Sequence, residues 1–343
     1  MSATPVAILK TGLVTSVGLS APSSCAALRA KLTNPSETRF IDSSGEWIMA
    51  HQVTLDKPWR GLTKLVKMAA MVIEEALGGI ARKEWPRIPL LLCVAEPERP
   101  GRLAGLDDQL FLDIQTELGA QFSSQSAIVA HGRVGVAVAL AQTRALLSQG
   151  KISRVLIAAT DSLVSWPTLS HYERGDRLLT ASNSNGFMPG EGAGALLVGA
   201  DGGDAGELLC TGIGFSREAA HLDSGEPLRA EGLSQAIKSA LSDAGLEMHH
   251  MDFRITDLSG EQYYFKEAAL ALSRTLRQRK EEFDLWHPAE CTGEQGAVAG
   301  AAVIALADAA CRKAFTKGPN ILAHMANDVG QRAALSLQFR GGA

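Results

Sequence analysis

The sequence has no surplus of basic residues: 33 Lys and Arg stand against 37 Asp and Glu, a net charge of −4, and the cations are scattered along the chain. A polyanion is recognised by massed positive charge, so nucleic acid is not an expected partner. Long apolar runs are missing too. Lys10 interrupts the apolar start, and no basic opening leads into an unbroken apolar stretch. Neither a leader peptide nor a membrane span is therefore expected, and the location read from the sequence is cytoplasmic. Cysteine is sparse: Cys25, Cys93, Cys210, Cys291 and Cys311 lie far apart, an odd number with no CxxC pair. No histidine cluster has ligand spacing. This argues against a disulfide framework and a zinc site, and no metal or cofactor is expected. The thiols read as reduced and mostly buried. What is present is ordinary for a globular chain: 343 residues, 46% hydrophobic and 20% charged, with a mean hydropathy of +0.04. That length can bury one large core or two fused halves.

Two distant stretches repeat the same order of Gly-rich turn, helix, strand, turn and strand. In the first, residues 134–148 carry apolar side chains at helical spacing, Gly150 stops the helix, and residues 155–159 read as a buried strand. A second strand begins near Gly186-Phe187-Met188 and resumes over residues 193–198. In the second copy, residues 296–314 form a small-residue helix, followed by strands at 320–324 and 333–337. Each copy also has an earlier helix, 62–77 and 230–244, followed by an apolar strand, 88–94 and 253–257. This alternation predicts a largely parallel α/β sheet in each half. Four glycines and two aspartates between residues 199 and 206 mark the connection. The expected division is 1–201 and 202–343.

The opening Thr11-Gly12-Leu13-Val14-Thr15-Ser16-Val17-Gly18 and the stretch Asn185-Gly186-Phe187-Met188-Pro189-Gly190-Glu191-Gly192-Ala193-Gly194-Ala195-Leu196-Leu197 resemble motifs of the β-ketoacyl-acyl-carrier-protein synthase family, within the thiolase superfamily. The second is similar to D-G-F-V-x-G-E-G-A-G-x-L-V of that family. Residues 149–162 and 230–246 resemble two further family segments, so the likeness runs from about Val6 to Gln338. It implies a thiolase-like layered α-β-α-β-α fold of two duplicated halves, usually dimeric.

The family's decarboxylative condensation uses a Cys nucleophile at a helix start, where the helix dipole favours the thiolate, and two His that stabilise the anion formed as carbon dioxide leaves. The resemblance puts the Cys position on Gly132 or Arg133, the first His position on Asp257 and the second on Glu294. Neither Gly132 nor Arg133 can be acylated, and an ionised carboxylate cannot donate to a developing enolate. The turn that supports the oxyanion hole is altered as well, reading Asn327-Asp328-Val329-Gly330-Gln331-Arg332. Arg133, a cation near a helix start, is expected to pair with Asp257 or Glu294 across the old pocket.

Other residues keep two readings. His131 could serve as a replacement base, or simply hydrogen-bond nearby. Asp257 with Glu294 could form an acid/base pair, or be carboxylates held by an arginine. Cys291 could be a displaced nucleophile, or an inert thiol before a Gly turn. Gly190-Glu191-Gly192 reads as structural, serving a tight bend and close packing. The function expected is that of a catalytically inactive synthase-like protein, a pseudoenzyme acting as a binding, adaptor or accessory subunit in a secretion or biosynthetic locus. The resemblance implies a protein partner, an acyl carrier protein or an acyl chain, and a homodimer or a heterodimer with a related synthase. The alternative is an acyltransferase or thioester hydrolase with a rebuilt site.

Overall fold

The computed structural model describes residues 4–341; residues 1–3 and 342–343, the outer ends of the two expected halves, lie outside the described residues. The N-terminal half runs β1 (Val6–Val14), α1 (Ala21–Arg29), β2 (Ser36–Ile41), β3 (Trp47–Ala50), α2 (Gly61–Ala76), β4 (Leu90–Val94) and α3 (Gln109–Leu118). It continues with β5 (Ala127–Ala130), α4 (Gly135–Ser148), β6 (Arg154–Ser162), α5 (Trp166–Arg174) and β7 (Glu191–Ala200). The C-terminal half runs β8 (Glu207–Arg217), α6 (Glu231–Ala244), β9 (Phe253–Thr256), α7 (Gln262–Thr275) and β10 (Leu285–Trp286). It ends with α8 (Ala289–Thr292), α9 (Ala299–Arg312), β11 (Asn320–Ala326) and β12 (Gln331–Arg340).

Among the described residues, ten strands form one sheet in the order β10-β9-β11-β12-β8-β1-β7-β6-β4-β5, and β2 pairs with β3 apart from it. The order repeats. In the first half β5 is parallel to β4, β4 is parallel to β6, and β7 is antiparallel to both β6 and β1. In the second half β10, β9, β11, β12 and β8 repeat those directions strand for strand. Within the sheet, the halves meet where Val6, Ala7 and Ile8 pair with Cys210, Leu209 and Leu208.

Alternation along each strand splits the apolar side chains between layers. Leu90, Leu92, Leu156 and Leu197 face α2 and α3 on one outside. Leu322 and Ala334 face α6 on the other. Between the two half-sheets, Leu91, Ile157 and Leu196 of the first share one core with Ile255, Ala323 and Leu335 of the second, built around α4 and α9. The fold is thus α/β and layered α-β-α-β-α. A helix enclosed on both sides is apolar all round, and α9 is buried from Gly300 to Ala307. Its crossing with α4 is close enough that a Cβ on Gly300 would lie 2.8 Å from Val136 Cβ.

Two readings of the sheet need refinement. Each half is largely parallel but mixed: four of its five strands run the same way, and one, β7 or β12, runs back against its neighbours. The four residues 327–330 between β11 and β12 can make only an antiparallel return. Strands covered on both faces read as apolar runs in either direction, so composition carried no sign of this. Residues 186–188 precede β7 and join only an isolated bridge, Leu178 to Phe187.

Candidate functional site

In layered α/β folds ligands gather outside the carboxyl ends of the strands, and here both half-sheets deliver charged groups to that edge. Glu96 follows β4, His131 follows β5, Asp161 ends β6, Asp257 follows β9 and Asp328 follows β11. The inner helices begin at the same place. Each is preceded by a single 3-10 turn, Gly132–Val134 before α4 and Gly296–Val298 before α9, and each turn opens on a glycine in the left-handed region, φ +52° and φ +56°.

Arg133 is the hub. Its Nη1 donates to Glu294 Oε2 at 3.1 Å, its Nη2 donates to Asp328 Oδ1 at 2.8 Å, and its Nε lies 3.8 Å from Asp257 Oδ2. The guanidinium also covers the Tyr264 ring at 4.5 Å. Asp328 is shared: Arg177 Nη1 donates to it at 2.7 Å and the Tyr264 hydroxyl at 2.6 Å. Arg177 then grips Glu261 with two bonds of 2.7 and 2.8 Å. A second cluster adjoins the first, in which Arg99 grips Glu96 at 3.0 and 2.8 Å and reaches Asp161 at 3.3 Å. The space left between the two clusters is about 10 Å³, at most one water. A second recess beside Asp257 and Glu294 is equally small, about 10 Å³.

Solved structures share this architecture over nearly the whole chain. The ishigamide ketosynthase/chain length factor matches with a TM-score of 0.80 and 17% identity, covering 99% of this chain and 100% of that one. A type II PKS acyl-carrier protein in complex with its ketosynthase bound to the hexaketide matches at 0.80 and 14%, over 98% and 100%. A ketosynthase in complex with its chain length factor from Xenorhabdus doucetiae matches at 0.73 and 12%, over 98% of each chain. This chain has the ketosynthase fold. No protein-family model and no curated protein matches the sequence, so it is the layering and topology that carry the likeness.

Within that fold, the structure brings Gly132, Arg133, Asp257 and Glu294 to one place. Gly132 leaves room for its neighbours, since a Cβ there would lie 1.9 Å from Glu96 Oε2. His131 sits beside them with Nδ1 3.4 Å from Gln331 Oε1 and does not hydrogen-bond Asp257 or Glu294. Both carboxylates also accept backbone N–H groups: Ala326 donates to Asp257 at 2.9 Å and Gly296 to Glu294 at 2.9 Å. Cys291 is buried, and burial raises its thiol pKa, the opposite of an activated nucleophile. Gly190 and Gly192 serve close packing, because Cβ atoms there would meet Thr292 O at 2.3 Å and Val14 O at 2.6 Å. Between them, Glu191 pairs with Lys64 and accepts from the Val53 N–H at 2.9 Å and the Ser162 hydroxyl at 2.8 Å.

Sequence reasoning missed Glu96, Arg99, Arg177, Glu261 and Tyr264. Asp161 and Asp328 left a visible signal, acidic residues where the family motifs carry small ones. Among the described residues no group of His, Cys, Asp and Glu could hold a metal ion; here each carboxylate faces a guanidinium. No described helix is long and apolar enough to cross a membrane.

Six carboxyls, of Glu96, Asp161, Asp257, Glu261, Glu294 and Asp328, surround three guanidiniums, of Arg99, Arg133 and Arg177. Full ionisation would leave three negative charges in a largely buried space. Burial opposes ionisation of Asp328, but Arg133, Arg177 and the Tyr264 hydroxyl hold its carboxyl well below the usual range. Burial pushes Asp257 from 3.8 up to about 7, only partly countered by Arg133 and the Ala326 N–H. A carboxyl raised on folding keeps its proton where the unfolded chain has lost it. Its contribution is therefore full below the unfolded value and lost as pH rises to about 7. We expect urea stability to fall between pH 5 and pH 7.5 by on the order of 2 kcal/mol, and Asp257→Asn to flatten that slope. An unchanged slope in Asp257→Asn would assign the proton elsewhere.

Proposed function

We propose that this chain is a non-catalytic subunit with a ketosynthase fold, a pseudoenzyme that acts by binding a protein partner as an adaptor or accessory component. The observation that carries this reading is the occupied pocket: Arg133 fills it together with the Asp257, Glu294 and Asp328 carboxyls that it pairs with. No thiol lies there, and no space for an acyl chain remains. The three similar structures named above hold a ketosynthase with a chain length factor or an acyl-carrier protein. By that analogy the partner sought first is a related synthase, with an acyl carrier protein next. Strand β5, at one end of the sheet with one side unpaired, is the backbone edge on which a second subunit would dock; a homodimer would use the same edge.

Incubation with acyl-CoA and acyl carrier protein thioesters, followed by intact-protein mass spectrometry, should leave the mass unchanged, while native mass spectrometry of chain recovered from its host should show a stoichiometric partner or a second copy. A stable acyl adduct on any cysteine would overturn the reading. The competing view, a hydrolase or acyltransferase with rebuilt chemistry, draws on the near-neutral Asp257. It requires thioester turnover that Glu294→Gln abolishes. We expect no turnover from either protein.

A further inference from the structure

At the other end of the sheet, remote from β5, β10 is paired on one side only: Leu285 pairs with Arg254 and Trp286 with Ile255 of β9, and no described strand lies beyond. A strand edge with free N–H and C=O groups is a template for an added strand. Beside it lies a cavity of about 170 Å³ with a floor of Leu28, Leu306, Phe315 and Trp286. Its size matches one ring, since a buried apolar cavity of about 150 Å³ takes up benzene. The walls are preorganised: Trp286 and Phe315 stack at 6.3 Å with 18° between their planes, and Trp286 also leans on Phe253 at 4.5 Å.

The mouth is cationic. Arg29, the last residue of α1, lies over the Phe315 ring at 4.7 Å and has no carboxylate partner among the described residues. Lys31 reaches across to Glu290 in an exposed ion pair, an interaction that opens at little cost. Arg29, Lys31 and Glu290 leave one positive charge uncompensated at the rim of an apolar hole.

We propose that this edge binds an extended peptide segment of a partner protein, which adds a strand to β10, seats one Phe-, Leu- or Trp-sized side chain in the cavity and sets a neighbouring carboxylate against Arg29. Three features that are otherwise unrelated converge on that occupant. The edge supplies main-chain bonds, the cavity takes a single anchor as interface hot spots do, and the cation selects an acidic flank.

The test uses the full chain labelled with 5-fluorotryptophan, whose five Trp give separable fluorine signals; Trp286→Phe assigns the one of interest. The probes are blocked pentapeptides with Phe, Leu or Trp at the centre and Glu or Lys on either side, together with phenylacetate. We expect at least one acidic peptide to shift the Trp286 signal saturably, with a Kd on the order of 1 mM or tighter. Arg29→Glu should weaken that binding about tenfold or more, a loss of about 1.4 kcal/mol. Leu306→Phe, which fills the cavity, should abolish it, while Trp85, elsewhere in the core, reports that the fold is kept. No shift from any peptide at 5-fold that concentration, equal binding of Glu and Lys peptides, or phenylacetate binding as tightly as the best peptide would each overturn the proposal. Pairing through β5 is read separately by native mass spectrometry, so either interface can fail alone.

Discussion

Arg133→Met will destabilise the folded chain by about 3–5 kcal/mol, read as a lower urea midpoint with an unchanged slope. Arg133 is 5% exposed, and its guanidinium is the cation nearest to Asp257 and Glu294. Methionine fills much the same volume but leaves two buried carboxyls without a countercharge; Asp328 keeps Arg177. An uncompensated buried charge is the expensive outcome, whereas removing a whole buried ion cluster often comes close to neutral. The triple variant Arg133→Met with Asp257→Asn and Glu294→Gln should therefore regain most of the loss. The amide oxygens can still accept the Ala326 and Gly296 N–H groups that the carboxylates accept now. A loss below about 1 kcal/mol in the single variant would mean that the cluster is solvated and behaves like surface ion pairs. A triple variant no better than the single one would mean that packing around Arg133, including its contact with the Tyr264 ring at 4.5 Å, outweighs the charge.

The helices, the strands and their duplication were largely legible in the sequence because those signals are periodic and local, whereas the layering was implied by the family resemblance. The apolar residues of α2, Leu65, Met68, Ala69, Val72, Ile73 and Ala76, recur at helical spacing and are buried. The small-residue composition of α9 follows from its place between two half-sheets. Strand direction was not legible, because β6, β7, β11 and β12 are covered on both faces and show no alternation. The site divided in the same way. Arg133, Asp257 and Glu294 stand inside recognisable motifs, so their convergence could be anticipated. Arg99 and Arg177 lie in loops after β4 and α5, where only the folded chain shows that they face Asp161 and Asp328. A loop arginine reads as solvated until a buried carboxylate is found opposite it.

The same geometry predicts what a thiol introduced at the turn before α4 would do. Gly132→Cys should cost about 3 kcal/mol or more, from adopting a left-handed backbone and from overpacking, and the introduced thiol should take up no acyl group from a thioester. At φ +52° any side chain is strained, and its Cβ would lie 1.9 Å from Glu96 Oε2 and 2.7 Å from its Cδ. Glu96 cannot swing aside freely, because Arg99 holds both of its oxygens and at the same time reaches Asp161. The duplicated fold supplies a matched control. Gly296 opens the corresponding turn before α9 at φ +56°, and a Cβ there would lie 2.1 Å from Asp161 Oδ2, a carboxylate on the same Arg99. Gly132→Ala and Gly296→Ala should therefore lose similar stability, which separates the steric effect from thiol chemistry. If Gly132→Cys folds with wild-type stability and becomes acylated, the Glu96–Arg99–Asp161 cluster yields readily and the pocket is a closed active site rather than a rebuilt core. If both alanine variants lose stability together and no adduct forms, the left-handed backbone and close packing at the two turns account for both glycines, and the charge clusters around Arg99 and Arg133 behave as packed core.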